Sequence, residues 1–452
     1  MIFRILTLLG LAACLALAAA GCRTVREARE VQRGGAPLPG ERSLRAADAG
    51  LVPDAVLSLD RALQLALATH PALLQAAQEL AAATAQVRQA RAAYWPALDA
   101  SAGYTRSTAN NTTDRAAGSH DTFSASLGLD LLIYDFGKTP AAVRQAYARQ
   151  TAAAETLAVA RGDRILAVRA AYFEVCKAQE LTRVAEESVR QYEAHLSQVR
   201  AFLEVGRRTR YDLTKSEVDL GNARLDLIKA RNGMADARAT LDAALGLAEP
   251  TAYAVVPATL PPVTATAESL LATLRTNHPA LRAILAGEQA ASSAVDEAIA
   301  DLYPALALRG QYGAAGRALP LVWNWSLSAL SSLPLFTGGR QLARIEEATA
   351  RLRQARARRA EREQQLYQEL VTALNQYAGA REQLAVTDLL VRQARESLDL
   401  IDERYRLGAA SAVEVTDAQV ALTGARASQV KARFEGEIAT ARVRHAMGEH
   451  TP

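Results

Sequence analysis

Cysteine is scarce here. Cys14 lies inside an apolar N-terminal run, Cys22 follows it, and Cys176 stands alone in a helical stretch. One internal thiol cannot form an internal disulfide, so no covalent staple is expected. Aromatic residues are 5% of the 452, although half of the chain is apolar. That excludes a large mixed core and suits long alanine-rich helices packed closely. Net charge is only +4, and no long Lys/Arg run occurs, which argues against nucleic-acid binding. No nucleotide-binding glycine loop, catalytic triad or His/Cys cluster is present; "GAAGRA" lies in a strand region. The expectation is no enzyme, no cofactor and no metal. Proline is absent from Ala141 to Glu249 and from Leu335 to Thr451. Neither span contains the residue that most reliably breaks a helix.

The N-terminus reads as a signal peptide over 1–21: Arg4, an apolar run from Ile5 to Ala20, then small residues. The run is too short for a confident membrane span. Ala19-Ala20-Gly21-Cys22 looks like a bacterial lipoprotein box, with Ala19 where Leu is usual, and makes Cys22 the lipidation site. Arg23 follows, and the Asp that resembles an inner-membrane retention signal is absent. Residues 22–57 then form a lipid-anchored lead.

The chain writes one phrase twice: "THPALLQAA" from Thr69 and "NHPALRAIL" from Asn277. The echo continues through Pro96 and Pro304, "LIYDFGK" and "PLFTGGR", "EVGRRTRYDLTKSEV" and "RLGAASAVEVTDAQV", and Gly246 and Gly448. Two internal structural repeats follow: 58–249, with strands about 97–136 and a helical hairpin about 138–246, and 267–452, with strands about 305–336 and a hairpin about 339–448. A proline-rich linker over 250–266 joins them. His70 and His278 occupy matching places before a proline, which points to a structural role.

A helix from about residue 138 to 204 is roughly 100 Å long at 1.5 Å per residue. Such rods must pack side by side. Gly206 and Gly408 end the two long helices, and Thr209 and Ser411 begin the next ones, a glycine C-terminus followed by a hydroxyl N-cap. Helix pattern alone leaves open a plain coiled-coil spacer. The strands point elsewhere. Phe123, Ala125, Leu127, Leu129, Leu131 and Ile133 alternate with Ser124, Ser126, Gly128 and Asp130; Leu321, Trp323, Trp325, Leu327 and Ala329 alternate with Val322, Asn324, Ser326 and Ser328. Period-two alternation over about ten residues is the pattern of an outer-membrane strand. Trp95, Trp323 and Trp325, with Tyr94, Tyr104, Tyr134, Phe136, Tyr303 and Phe336, are candidates for interface girdles. Four strands cannot close a water-filled barrel, and lipid tolerates no open edge. Either the strands form a small soluble sandwich or several chains share one barrel; sharing is the better reading, because the rods also lack a core of their own.

From about Leu57 to Gly448 the order, spacing and duplication of these motifs resemble the TolC family, the outer-membrane factors of tripartite efflux and type I secretion systems. "YDFG" at 134–137 and "PLFTGGR" at 334–340 resemble its strand-to-helix junctions, with Thr337 where Asp is usual; "VGRRT" and "LGAAS" are similar to its hairpin tips. The resemblance implies an α+β membrane protein: a homotrimer whose chains each give four strands to a shared β-barrel, continued by a long α-helical barrel through the periplasm. It implies a passive exit duct in the outer membrane of a Gram-negative-type bacterium, with a periplasmic adaptor and an inner-membrane pump as partners and outer-membrane lipid around the barrel.

Glu414 and Asp417, three residues apart, put two carboxylates on one helix face. That is either a solvated face or, repeated about an axis, an acidic ring at an entrance; the resemblance favours the ring. It also implies a gate bond between Tyr405 and Asp212, with Ala410 where the family's archetype has an arginine. Arg404, Arg406, Arg207, Arg208 and Arg210 are possible substitutes. By the same resemblance Val205, Gly206, Thr209, Leu407, Gly408 and Ser411 are adaptor contacts, and turn chemistry accounts for them equally well. The alternatives are the exit duct of a type I protein secretion system and a lipid-anchored periplasmic coiled-coil scaffold with no pore.

Overall fold

The computed structural model describes residues 23–35, 38, 41, 45, 55–108, 119–206, 209–249, 253–263 and 267–449. Cys22, the signal segment, Arg207, Arg208 and part of the linker lie outside the described residues. A short exposed helix α1 (23–32) comes first, laced by the i,i+4 pairs Arg23–Glu27 and Arg26–Glu30.

The first half then runs β1 (Ala55–Leu57), α2 (Leu59–Thr69), α3 (Pro71–Ala92), β2 (Ala97–Thr108), β3 (Ser119–Tyr134), α4 (Lys138–Glu204) and α5 (Arg210–Leu245). The second half runs β4 (Tyr253–Val255), α6 (Ala267–Asn277), α7 (Pro279–Ala300), β5 (Ala305–Gly316), β6 (Val322–Ser332), α8 (Arg340–Arg406) and α9 (Ala412–Ala446). α4 and α8 are each 67 residues long, α3 and α7 each 22. Among the described residues no helix is both long and apolar enough to cross a membrane.

Local chemistry starts these helices. His70 and His278 sit at the N-caps of α3 and α7, where each Nδ1 accepts from a backbone N–H, Ala72 at 3.1 Å and Ala280 at 3.2 Å. The proline that follows needs no partner for its nitrogen and already holds a helical φ. α4 begins after Gly137, whose φ of 95° lies in the left-handed region. Asp135 supplies the cap that glycine cannot, accepting from the Thr139 N–H at 2.6 Å. At α8 the corresponding residue is Thr337, which bonds Gln341 instead. Phe136 adopts φ 52° where the second half has Gly338. Its ring is braced edge-on by Tyr134 and stacked on Tyr303, centroids 4.8 and 5.7 Å away.

The four long strands form one antiparallel sheet in the order β2-β3-β5-β6. Its register separates two faces. Leu98, Tyr104, Phe123, Leu127, Leu129, Leu308, Tyr312, Trp323, Trp325 and Leu327 share one; Asp99, Ser101, Ser124, Ser126, Asp130, Arg309, Gln311, Asn324, Ser326 and Ser328 share the other. On the polar face, Ser101 and Ser126 hydroxyls lie 2.8 Å apart and Arg309 Nε donates to Asp130 at 2.7 Å. Among the described residues β2 and β6 have no strand beside their outer edges within the chain.

Below the sheet the two helical hairpins lie side by side. α4 packs on α5, α7 and α9; α8 packs on α9 and α7. The main apolar core sits midway along the rods. There α2 and the small parallel sheet β1–β4 bury Leu57, Leu63, Phe173, Leu241, Leu245 and Phe434. The Tyr172 hydroxyl lies 2.5 Å from the Val256 carbonyl and 3.1 Å from that of Leu57, tying lead and linker to α4. Glu437 accepts from the Leu260 N–H at 2.8 Å, and Arg444 donates to the Pro261 carbonyl at 2.9 Å.

Two predictions follow from this waist. Tyr172→Phe leaves buried carbonyls short of a donor, at a cost of about 1–2 kcal/mol. Amide exchange over 253–257 is expected to speed up while that of the sheet is unchanged. His278 is held at a pKa of about 4 by burial first, then by Arg362 and His445, with Asp163 opposing. Its folded value lies below the unfolded one, so the stability of this junction is complete above about pH 6.5 and falls as the pH drops towards 4. Asn at this cap keeps an acceptor without titrating. His278→Asn is expected to flatten that part of a stability–pH curve.

Candidate functional site

The far end of each hairpin is built by the same device. α4 stops at Gly206, φ 73°, and α8 at Gly408, φ 79°, a conformation that L side chains rarely adopt. The chain then re-enters a helix through a capping box. Asp212 N–H donates to Thr209 Oγ1 at 3.3 Å while Thr209 N–H donates to Asp212 Oδ2 at 3.0 Å. Ser411 and Glu414 repeat this, with both bonds at 3.2 Å. The backbone and side-chain bonds from Ser411, then Arg404, hold the Glu414 carboxyl below its ordinary pKa.

This settles where the sequence-identified tip residues lie. Val205, Gly206, Thr209, Leu407, Gly408 and Ser411 are all at the two tips and exposed; Leu407 is 84% exposed. Glu414 and Asp417 share the exposed side of α9. Tyr405, by contrast, is 1% exposed. Its ring faces His195 and Phe202 of α4, centroids 5.4 and 6.2 Å away, within a cluster with Ala410, Ala412 and Val415. Asp212 bonds to its own cap rather than to Tyr405, because the T-x-x-D spacing satisfies the carboxylate locally. Ala410, where the archetype has arginine, is buried in the Tyr405 cluster. Of the candidate substitutes, Arg404 donates to the Ala409 carbonyl at 3.2 Å and Arg406 pairs with Asp402 at 3.3 Å.

Sequence reasoning missed a second link between the hairpins. Buried Asp219 on α5 is bonded by Lys215 at 2.9 Å and by the Thr416 hydroxyl of α9 at 3.3 Å. Arg426 of α9 reaches Glu187 of α4 at 2.8 Å. The available signal was the Lys215–Asp219 i,i+4 spacing on the apolar side of α5. Among the described residues no group of three or more His, Cys, Asp or Glu side chains is arranged to hold a metal. Cys176 is buried, its thiol pushed up to about 12 by desolvation, which makes it unreactive.

A two-faced sheet standing on paired rods with capped tips narrows the choice of family. The model of the family described as outer membrane efflux protein matches residues 62–247 and 270–449. The chain belongs to that family. Membership places this efflux protein in the outer membrane and in transport rather than catalysis. It is 28% identical over 311 residues to protein CyaE of Bordetella pertussis (strain Tohama I), covering 67% of this chain and 65% of that protein, just under two thirds of the relative. It is 24% identical over 369 residues to the outer membrane efflux protein BepC of Brucella suis biovar 1, covering 80% and 79%. The structure of the outer membrane protein VceC from Vibrio cholerae shares the fold, with TM-score 0.77 and 21% identity over 86% of this chain and 96% of that one.

Removing a capping hydroxyl isolates its role. Thr209→Ala and Ser411→Ala are each expected to cost about 1 kcal/mol. The change should appear as faster amide exchange confined to the first turn of α5 or α9.

Proposed function

We propose that the chain is one third of a passive exit duct for a tripartite efflux pump. Three copies each give four strands to a shared twelve-stranded barrel, and the hairpins continue it as a tunnel through the periplasm. The observation that carries this reading is the sheet: apolar on one face, hydroxyl-rich on the other, and open at both edges. An open edge in hydrocarbon leaves backbone groups unsatisfied, so the edges must meet other strands. A periplasmic scaffold with no pore has no use for such a sheet. The matched lengths of α3 with α7 and of α4 with α8 support two structural repeats, 58–249 and 267–452, joined by the 250–266 linker.

The helices support assembly too. Tyr211, Val218 and Leu225 lie exposed at seven-residue steps along α5; Val386 and Leu400 lie exposed fourteen residues apart along α8. These are two unfilled coiled-coil seams on opposite flanks of the chain. At the tunnel's end Tyr405, Asp212, Glu414 and Asp417 form the gate region. In this reading Tyr405 anchors the second hairpin on α4, and the exposed carboxylates face the entrance. An adaptor docks on Val205, Gly206, Thr209, Leu407, Gly408 and Ser411, binds the open state better and shifts the equilibrium. Cys22 carries the lipid anchor. The same duct would serve a type I secretion system; the partner pump decides.

The first test is protein mass in mild detergent, with the detergent subtracted. Three chains are expected, and one or two would sink the duct. In planar bilayers the parent is expected to conduct poorly, and Tyr405→Ala, which empties a buried site, to raise conductance several-fold. Asp212→Ala and Tyr405→Phe are expected to do so less; if all three conduct like the parent, the gate assignment fails.

A further inference from the structure

The two halves of the chain have matching elements in unmatched surroundings. α4 packs on α7 and α9, and β3 pairs with β5. By position, the counterparts are α8 against α3, α8 against α5, and β6 against β2. Among the described residues none of these is a packed interface within the chain. Burial records the difference: twenty residues of α4 are buried and only seven of α8, at equal length. In the proposed ring, on which this inference rests, the missing neighbours are α3, α5 and β2 of the next copy. The interface inside each chain is therefore a template for the interface between chains.

The template carries the ion pairs Lys138–Asp301, Arg282–Glu155 and Arg144–Asp296, and of the three only the last has charged residues at both counterpart positions. Arg144, seventh residue of α4, lies 3.1 Å from Asp296, eighteenth residue of α7. The seventh residue of α8 is Glu346 and the eighteenth of α3 is Arg88. The pair is complementary again, but its polarity is reversed. Both side chains are exposed, and neither has an ion-pair partner among the described residues.

We propose that Arg88 of each copy meets Glu346 of its neighbour, and that the reversed polarity selects which helix seats on which. During folding α8 competes with α4 for the face of α7 that carries Asp296, and α4 competes with α8 for the face of α3 that carries Arg88. The wrong choices set Glu346 against Asp296 and Arg144 against Arg88, like charges in both cases. Exposed pairs add little stability, so the value of this pair lies in rejecting the alternative. At this position two helices of equal length are told apart by one charge each.

An Arg–carboxylate pair holds its Cα atoms further apart than a disulfide accepts, so the test uses a short bismaleimide. In outer membranes Arg88→Cys/Glu346→Cys is expected to give covalent dimers and trimers on a denaturing gel. The two single variants should give none, and Arg144→Cys/Asp296→Cys should close within one chain. Absence of the ladder while detergent mass stays at three chains overturns the contact; a mass of one chain overturns the ring instead. For selection, Glu346→Arg is expected to lower the assembled fraction several-fold, and adding Arg88→Glu to restore it. A double variant no better than the worse single variant would show that polarity plays no part.

Discussion

Backbone hydrogen bonding in a medium without water constrains everything else in this molecule. Each peptide group in a membrane must find a partner within protein, and a four-stranded sheet leaves two rows of them unmet at β2 and β6. A single chain cannot resolve this, because four strands are too few to curl shut around water. The rest of the architecture answers that deficit. The helices that continue the strands inherit the same lateral order, so their unpaired flanks fall on the same two sides as the open edges. In the proposed ring one interface would therefore serve sheet and rods together.

The rods need little of their own from tertiary structure along most of their length. Alanine-rich sequence without proline propagates helix readily, and both ends are specified by local groups: Asp135 and the left-handed glycines at the top, the capping boxes at the bottom. What the rods need is a fixed rotation about their axes. The waist supplies it, where Tyr172 of α4 and Glu437 and Arg444 of α9 clamp the crossing linker onto two helices. Nearer the tips the cross-hairpin contacts mix the apolar packing of Tyr405 on Phe202 with polar links, Asp219 to Thr416 and Arg426 to Glu187. A buried carboxylate held by one lysine and one hydroxyl is a less secure joint than apolar packing.

Much of this was legible in the residues. Two proline-free spans, glycine followed by Thr209 or Ser411, and strict alternation at Phe123–Leu131 defined helices, tips and strands, because each is decided by neighbours in sequence. The pairing of β3 with β5 was not legible, since it joins segments about 180 residues apart with nothing local to specify it. The surroundings of Tyr405 were not legible either. Whether its ring meets Asp212 or His195 depends on the phase of two long helices, and a straight helix drifts by about 20° per heptad against a seven-residue pattern. The T-x-x-D and S-x-x-E caps are written in the residues themselves, whereas the Tyr405–Asp212 bond was implied only by the family resemblance.

The polar face of the sheet carries many short side chains, interrupted by longer ones at Asp99, Asp130, Arg309, Gln311 and Asn324. Ser101, Gly103, Ser124, Ser126, Gly128, Gly313, Ser326 and Ser328 carry at most one hydroxyl each. If this face lines the proposed duct, the short residues widen its bore by the length of the side chains they omit and present a hydration layer in place of grips. At the level of Asp99, Asp130 and Arg309 a passing solute would meet charge instead. A cargo's speed through the upper tube of such a duct should then depend on its girth over most of the sheet and on its charge at that one level.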